Sequence, residues 1–197
     1  MPVLTDEMTA AIQALPGVTQ IVAVEPDTRF HPALQRIVPE SQIIKGTALH
    51  APPDGEWDCL VSINVLEHIA DDAAELALYC RLLASRRGSL CLFVPACPEI
   101  YAPLDRDFGH FRRYTLPELR RKLENAGFSV DRIHYYNLLG YFAWALTFRL
   151  LRRRRFGTFA VRFFDRLVFP VSHWLETRIF RPPFGQNLLV VARANAL

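Results

Sequence analysis

The strongest constraint on the fold is an alternation of short apolar runs with amphipathic helical segments. Strand-like runs occur at residues 19–26, 41–48, 57–69, 89–96, 129–137 and 186–194. Helical patterns separate most of these runs, and another helical pattern precedes the first of them. An alternation of this kind predicts an α/β domain built around a mostly parallel, doubly wound sheet.

Two of the helical segments carry clear start and stop signals. The segment DDAAELALYCRLLASRRG begins with Asp71 and Asp72, acids that suit a helix N-terminus, and Gly88 is expected as its C-cap. The segment TLPELRRKLENAGF has Thr115 as its N-cap residue and ends at Gly127.

Polar or small residues follow four of the predicted strands. They are Glu25, the turn Gly46-Thr47-Ala48, the segment from Asn64 to His68, and Pro95-Ala96. Ligands of open α/β sheets bind at the carboxyl ends of the strands, so these four segments are expected to converge on a ligand site.

The composition is typical of a globular cytoplasmic protein. Hydrophobic residues make up 51% of the chain, which is enough for a sizeable core. The N-terminal residues lack the basic start and apolar run of a secretory signal peptide. Cys59, Cys80, Cys91 and Cys97 form no CxxC pair, and Cys59 and Cys91 lie in strand-like runs. The cysteines are therefore expected to be buried free thiols in a reducing compartment.

Charge is distributed unevenly along the chain. Residues 132–197 contain 11 Arg and Lys residues against 2 acids, a net +9, whereas residues 1–131 carry −6. Together they give the +3 of the whole chain. The basic part includes residues 134–185, an insertion rich in Phe and Trp beside arginine. The pattern is most pronounced around the arginine run 152–155, which is flanked by Trp144, Phe148, Phe156 and Phe159.

Three interpretations of this insertion remain open. It is a helical lid over a bulky apolar ligand, a surface that contacts anionic membranes through residues 138–170, or a helical hairpin packed on its own domain. The apolar run at 138–148 is shorter than the roughly 20 residues that span a bilayer. Peripheral contact at the inner face of the membrane is therefore the only membrane association expected. Nucleic acid is not expected as a partner, because lysines are few and no RNA-binding motif is present.

Six motifs, taken in order, resemble those of class I S-adenosylmethionine-dependent methyltransferases. They are VAVEPD, IIKGTA, WDCLVSINVLEHI, LASRRGSLCLFVPA, DRDFGHFRRYTLPELRRKLENAGF and GQNLLVVAR. The resemblance covers the chain from about Val3 to Ala192, and the GHFRRYT block is similar to that of a bacterial subgroup. It implies a Rossmann-like, doubly wound sheet with a final antiparallel strand.

The activity implied is methyl transfer from S-adenosylmethionine to oxygen or nitrogen of a small-molecule or lipid-linked acceptor. The alternative is a catalytically inactive remnant that acts as a binding or membrane-surface module. A nicotinamide-dependent oxidoreductase fits less well, because NVLEHI and GHFRRYT have no role in that class.

The resemblance also assigns the cofactor residues. Glu25, followed by Pro26, resembles the acid that binds the two ribose hydroxyls, and a carboxylate can accept two charge-assisted hydrogen bonds from a vicinal diol. Thr47-Ala48 match the positions that touch adenine, although the family usually has an acid where Thr47 stands. The loop Asn64-Val65-Leu66 matches the segment beneath the methionine moiety.

Glu67-His68 resembles part of a metal-binding pattern. Some relatives hold a divalent metal with an E-x-x-E-H sequence, but this chain has Asn64 in place of the first acid. Asp71 and Asp72 are better explained as the first turn of the following helix. We therefore expect no metal, and a structural or substrate-facing role for His68.

The segment LDRDFGHFRRYT corresponds to the acceptor-side loop of the family. His110 is a candidate to accept a proton from the acceptor. Arg112 and Arg113 are candidates to hold an anionic acceptor, and Tyr114 to close over the site. The alternative is that the acids and arginines of this segment only pin the loop by ion pairs.

One element of the family pattern is not found in the sequence. A first strand ending in a G-x-G-like turn would precede VLTDEM, where Met1-Pro2 stand. A late start codon or truncated gene, a degenerate paralogue, or a gap rebuilt by Met1 to Leu4 and a partner would each explain this. The chain is expected to bind S-adenosylmethionine no tighter than roughly 100 μM. The expected organisation is a truncated core at 1–133, the insertion at 134–185 and the last strand at 186–197.

Overall fold

The structure is a computed structural model that describes residues 5–154 and 162–196. It contains two compact units, Met1–Gly55 and Glu56–Leu197, which are treated separately below. The division expected from the sequence is different, with a core at 1–133 and 186–197 and an insertion at 134–185. The expectations placed on Met1 to Leu4, Arg155, Phe156 and Phe159 lie outside the described residues.

The first unit pairs two helices with a short parallel sheet. Helix α1 spans Thr5–Gln13 and α2 spans His31–Leu34. Strands β1 (Ala23–Val24) and β2 (Ile43–Ile44) run parallel, as expected for consecutive strands linked by a helix. A small cluster of Leu34, Val38 and Ile43 forms the buried core of this unit.

The second unit is built on a four-stranded mixed sheet in the order β3-β4-β6-β5. Its strands are β3 (Cys59–Ile63), β4 (Ser89–Pro95), β5 (Phe128–Tyr136) and β6 (Asn187–Ala194). Strands β3 and β4 are parallel, whereas β6 lies antiparallel between β4 and β5. The predicted α/β fold with a final antiparallel strand is thus confirmed.

Three helices lie in the connections from β3 to β4 and from β4 to β5. They are α3 (Asp72–Ala84), α4 (Pro103–Asp107) and α5 (Leu116–Asn125). The Thr115 side chain accepts a hydrogen bond from the Glu118 N–H at the start of α5. Gly127 follows α5 with φ +96°, a conformation that favours glycine. The expectation for Gly88 was wrong: α3 ends at Ala84, and the left-handed residue beyond it is Arg87.

The described residues of the insertion before β6, 134–154 and 162–185, include two helical segments. The first is α6 (Leu138–Trp144), which continues as a π-helical segment, Ala145–Leu150. The second is a π-helical segment, Phe164–Val168, followed by α7 (Phe169–Arg178). Among residues 5–154 and 162–196, no helix is both long and apolar enough to cross a lipid bilayer.

A carboxylate from α7 caps the start of α6. Glu176 is buried, and it accepts hydrogen bonds from the backbone N–H groups of Asn137 (2.7 Å) and Leu138 (2.9 Å). The Ser172 hydroxyl donates a third bond of 2.7 Å. An anion is favourable at a helix N-terminus, so Glu176 ties the two helical segments together.

Strand β3 is an edge strand of its sheet, and this changes the expectation for one cysteine. The cysteines of the described residues are free, but Cys59 on β3 is exposed. Cys80 and Cys97 are buried and Cys91 is half-buried. Within the described residues no strand precedes β1 along the chain.

Candidate functional site

The carboxyl ends of β1 and β2 lie side by side in the first unit. The Glu25 N–H donates to the Ile44 carbonyl oxygen over 3.0 Å, which extends the pairing by one residue. Glu25 is half-buried, and its Oε1 accepts a hydrogen bond of 2.8 Å from the Asp27 N–H. This bond fixes the direction of the carboxylate at the end of β1. Pro26, which follows, is exposed.

Thr47 and Ala48 follow β2 at the same end of the strand pair. The Thr47 N–H donates to His50 Nδ1 over 3.1 Å, and the Thr47 hydroxyl lies 3.4 Å from the same nitrogen. Gly46 leaves room for this arrangement, because a Cβ there would lie 2.6 Å from His50 Nδ1. The first unit therefore brings the Glu25 and Thr47 segments to adjacent strand ends.

In the second unit, the chain turns sharply after β3. Asn64 has φ +52°, a region that asparagine tolerates better than most residues, and its N–H donates to the Phe93 carbonyl oxygen over 2.9 Å. Asn64 and Val65 are exposed, whereas Leu66 is fully buried. The Leu66 side chain therefore anchors the turn Leu66–His68 in the core, so a cofactor contact by this side chain is not supported.

The loop after β4 closes over this turn. Ala96 forms a parallel bridge with Tyr114, so the loop leaves β4 and returns beside it. The Phe111 N–H donates to the Glu67 carbonyl oxygen over 2.8 Å. Gly109, with φ +82°, allows the chain to reverse just before His110. The loop and the turn thus meet at the carboxyl ends of β3 and β4.

Asp105 organises the loop from inside. Its side chain is 0% exposed and accepts hydrogen bonds from the Ala102 N–H (2.8 Å) and Arg113 Nε (3.0 Å). His110 Nδ1 lies 3.0 Å from Asp105 Oδ1. Burial alone would raise the pKa of Asp105, but the bonds from His110 and Arg113 outweigh it and hold this pKa below its ordinary value.

Arg113 is a buried structural cation. Its side chain is 1% exposed, Nη2 lies 2.8 Å from Asp105 Oδ1, and Nη1 donates to the Ala96 carbonyl oxygen over 3.1 Å. The guanidinium also lies 4.6 Å from the ring centroid of Trp144. These contacts do not support the predicted role of Arg113 in holding an anionic acceptor; they match the alternative in which ion pairs pin the loop.

The buried carboxylate of Asp72 is the centre of a second network of ion pairs and hydrogen bonds. Its carboxylate lies 2.8 Å from Arg112 Nη1 and 2.7 Å from Lys122 Nζ, and the Tyr114 hydroxyl donates to it over 2.9 Å. Burial alone would raise the pKa of Asp72, but these hydrogen bonds lower it. Arg112 also donates to the carbonyl oxygens of Ile69 and Ala70.

The same network decides the position of Tyr114. Its side chain is 0% exposed, and burial raises the pKa of its hydroxyl well above the ordinary range. A ring fixed in the core cannot close over a ligand, so that role is not supported. Arg112, like Arg113, is already engaged by groups of the protein, which again matches the loop-pinning alternative.

Three side chains with metal-ligating atoms meet between the turn and the loop. Ligand atoms of Glu67, His68 and His110 lie within 4.8 Å of one another. His110 Nε2 is 3.9 Å from Glu67 Oε1, and the two imidazole rings pack edge to face at 4.7 Å. Burial raises the pKa of Glu67 to about 7, and burial lowers the pKa of His68. His68 is exposed, so the cluster opens to solvent on one side.

Comparison with protein families and with curated proteins gave no match to this sequence. Comparison with solved structures gave many. A provisionally assigned methyltransferase from Bacillus halodurans aligns with a TM-score of 0.62 at 18% identity, over 98% of this chain and 90% of that one. An S-adenosylmethionine-dependent methyltransferase from Mesorhizobium loti aligns with a TM-score of 0.57 at 14% identity, over 90% and 81% of the two chains.

One similar structure is named for a different reaction. The cyclase SpnF aligns with a TM-score of 0.58 at 15% identity, over 98% of this chain and 74% of that one. Identities this low establish a shared fold and leave the reaction to be argued from the site. The chain has the Rossmann-like fold of the S-adenosylmethionine-dependent methyltransferases.

Proposed function

We propose that the protein transfers a methyl group from S-adenosylmethionine to a small-molecule or lipid-linked acceptor, at oxygen or nitrogen. The observation that carries the proposal is the placement of polar groups at the carboxyl ends of parallel strands in this fold. Glu25 and Thr47 occupy these positions in the first unit, and Asn64 and the Glu67-His68 pair occupy them in the second. Open α/β sheets bind their ligands at such strand ends.

Glu25 is the proposed ribose ligand. The Asp27 N–H already orients its carboxylate, so little conformational freedom would be lost on binding a diol. Glu25→Gln should weaken binding of S-adenosylhomocysteine by about 1.5–3 kcal/mol, the scale of a hydrogen bond to a charged group. Glu40→Gln is the matched control, because Glu40 is an exposed acid of the same unit that pairs with Lys45.

The remaining cofactor contacts follow the same strand ends. We propose that Pro26, Thr47 and Ala48 border the adenosine half, and that Asn64 and Val65 border the methionine half. His68 and His110 are then the acceptor-side residues. Methyl transfer is an in-line displacement for which positioning supplies most of the rate, so a dedicated base is not required.

Ligand binding at high concentration provides the test of this function. Saturation-transfer NMR with millimolar ligand should show saturable binding of S-adenosylhomocysteine by residues 1–197, reduced in Glu25→Gln and intact in Glu40→Gln. NAD should not compete. Saturable NAD binding would favour an oxidoreductase, and absence of binding by either compound would favour the inactive remnant.

We further propose that the insertion contacts the inner face of a membrane that contains anionic lipid. Leu139, Phe142, Leu146 and Leu150 recur at helical spacing along the first segment and are all exposed. Phe163, Leu167, Val171 and Trp174 do the same along the second. A helix on a water-exposed surface normally presents a polar outer face, whereas these two present apolar ones.

Charge supports the same surface. Among the described residues, the exposed arginines of the insertion are Arg149, Arg152, Arg153, Arg154, Arg162, Arg166, Arg178 and Arg181. Apolar side chains at headgroup depth with arginines beside them are the pattern of interfacial helices on anionic lipid. A lipid-linked acceptor would be met at such a surface.

Liposome flotation tests the membrane proposal. The protein should float with vesicles that contain phosphatidylglycerol at low salt, and the double variant Phe142→Ser/Trp174→Ser should not. Leu15→Ser removes an exposed apolar side chain of the first unit and is the control. If the unmodified protein stays in the dense fraction, the packed hairpin or the lid replaces this proposal.

A further inference from the structure

We propose that Glu67, His68 and His110 form a binding site for one divalent transition-metal ion of the Zn²⁺ or Fe²⁺ type. The inference goes beyond the proposed methyl transfer and does not depend on it, because metal binding is a property of this cluster alone. It departs from the sequence-based expectation, which considered Glu67-His68 without His110 and favoured no metal.

The first argument is the separation of the ligand atoms. Two atoms that bind one tetrahedral ion at about 2.0–2.2 Å lie about 3.3–3.6 Å apart. His110 Nε2 and Glu67 Oε1 are 3.9 Å apart, and the full set lies within 4.8 Å. Small shifts of the side chains would therefore bring all three atoms onto one ion.

The second argument is the environment of Glu67. The residue is 0% exposed, and neither carboxylate oxygen has a hydrogen-bond partner among the described residues. A buried carboxylate without a partner carries a large desolvation cost, and native structures rarely leave one uncompensated. His110 Nε2 lies 3.9 Å from Glu67 Oε1, too distant for a hydrogen bond. A cation between them would satisfy both groups.

The third argument is the orientation of His110. Its Nδ1 lies 3.0 Å from Asp105 Oδ1, and the ionised Asp105 can only accept, so Nδ1 carries the proton in the neutral imidazole. The lone pair is then on Nε2, which faces Glu67. A carboxylate that fixes a histidine through its second nitrogen is the usual support of a metal-binding imidazole. Asp105 is in turn held by Arg113 and the Ala102 N–H.

The ligand set indicates which ion would bind. Two imidazoles and one carboxylate suit Zn²⁺ and Fe²⁺, whereas Mg²⁺ prefers sites made of oxygen ligands alone. Three protein ligands with His68 at the exposed side leave coordination positions for water or for another ligand. Such an arrangement is that of an open site rather than a closed structural one.

Co²⁺ binding to the chelator-treated full chain provides the test, because Co²⁺ takes Zn²⁺ sites and has visible absorption. One equivalent should bind with the d–d bands of nitrogen and oxygen ligands, Zn²⁺ should displace it, and millimolar Mg²⁺ should not. Glu67→Gln and His68→Gln should each weaken Co²⁺ binding by roughly 10- to 100-fold or more. Mutation of residues that only support a metal ligand already reduces metal affinity by this factor.

Matched controls separate this site from others. His50→Gln and Glu40→Gln alter exposed residues of the first unit and should leave Co²⁺ binding unchanged. Because Glu67 is buried, thermal unfolding is used first to check that Glu67→Gln is folded. His68 is exposed, so His68→Gln should fold and still test the proposal if Glu67→Gln does not.

Three outcomes would overturn the proposal. The first is no Co²⁺ binding at millimolar concentration. The second is a Co²⁺ affinity of Glu67→Gln and of His68→Gln that equals the affinity of the unmodified chain. The third is a sulfur-to-metal charge-transfer band that Cys59→Ser abolishes.

Discussion

Replacing Asp105 by asparagine should lower the free energy of unfolding of the second unit far more than replacing an exposed acid of the acceptor-side loop. The substitution keeps the size of the side chain and removes its charge. Asp105 accepts bonds from the Ala102 N–H, His110 and two nitrogens of Arg113, at distances from 2.8 to 3.0 Å. An asparagine has one acceptor oxygen and two N–H donors, so it cannot face all of these donors at once.

The magnitude follows from the burial of the cation that is left behind. The Arg113 side chain is 1% exposed, so without Asp105 its charge stays in the protein interior. Removing one member of a buried ion pair costs about 3–5 kcal/mol. The Ala96 carbonyl and the Trp144 ring still contact Arg113, which places the expected loss in the lower part of this range, about 3–4 kcal/mol.

Urea unfolding followed by tryptophan fluorescence measures this loss, with a chelator present. All three tryptophans, Trp57, Trp144 and Trp174, lie in the second unit, so the signal reports the unit that contains Asp105. Thermal unfolding should show the same effect as a decrease in Tm of about 6–16 °C, taking 2–4 °C per kcal/mol for a chain of this length.

Asp107→Asn is the matched control for this experiment. Asp107 lies two residues away, and its carboxylate is 3.4 Å from the exposed Arg154. A surface pair of this kind contributes no more than about 1 kcal/mol. If Asp105→Asn cost as little as Asp107→Asn, the guanidinium of Arg113 would have to find water or another partner, and the account of Asp105 as the central acceptor would be wrong.

Three further predictions concern the buried networks. Because the folded-state pKa of Asp72 is lowered, its stabilisation is present above the ordinary carboxyl pKa near 4 and is lost as pH falls through the lowered value. The wild type should therefore lose more unfolding free energy between pH 6 and pH 3 than Asp72→Asn, and parallel pH curves would contradict this. Tyr114→Phe should cost about 1.5–3 kcal/mol in urea unfolding without changing S-adenosylhomocysteine binding, and a selective loss of binding would restore Tyr114 to the site. Glu176→Gln should speed hydrogen exchange in α6 from Leu138 onward, since the capping charge is removed, and unchanged exchange would show that the cap is not stabilising.

The sequence predicted the elements of the fold well, because local signals determine them. Thr115 at the start of α5 and Gly127 just after its end act through contacts with residues nearby in sequence. The apolar runs form strands, as predicted. Gly88 was misassigned because its role depends on a part of the chain that is distant in sequence. Its place is set by the neighbouring backbone, since a Cβ there would lie 2.5 Å from the Trp57 carbonyl oxygen.

The candidate site was predicted less completely, because its contacts join distant parts of the chain. The segment GHFRRYT does not show that Arg113 is buried. Arg113 is buried because it contacts the Trp144 ring and pairs with the buried Asp105, and both residues lie outside this segment. Likewise, Glu67-His68 was noticed as a pair, but its third member, His110, reaches it only through the fold. Cys59 was expected to be buried, and is exposed because β3 lies at a sheet edge.

The position of β6 has a consequence for how the second unit folds during synthesis. Strand β6 separates β4 from β5, and it pairs with both along nearly its whole length. A growing chain that has reached Tyr136 already contains β4 and β5, but each has an open edge where β6 belongs, and such edges invite pairing with other chains. The sheet closes only when Asn187–Ala194 emerges and inserts between them, a pairing of high sequence separation that is intrinsically slow. Until that insertion, the edges of β4 and β5 that face β6 remain open to pairing with other chains.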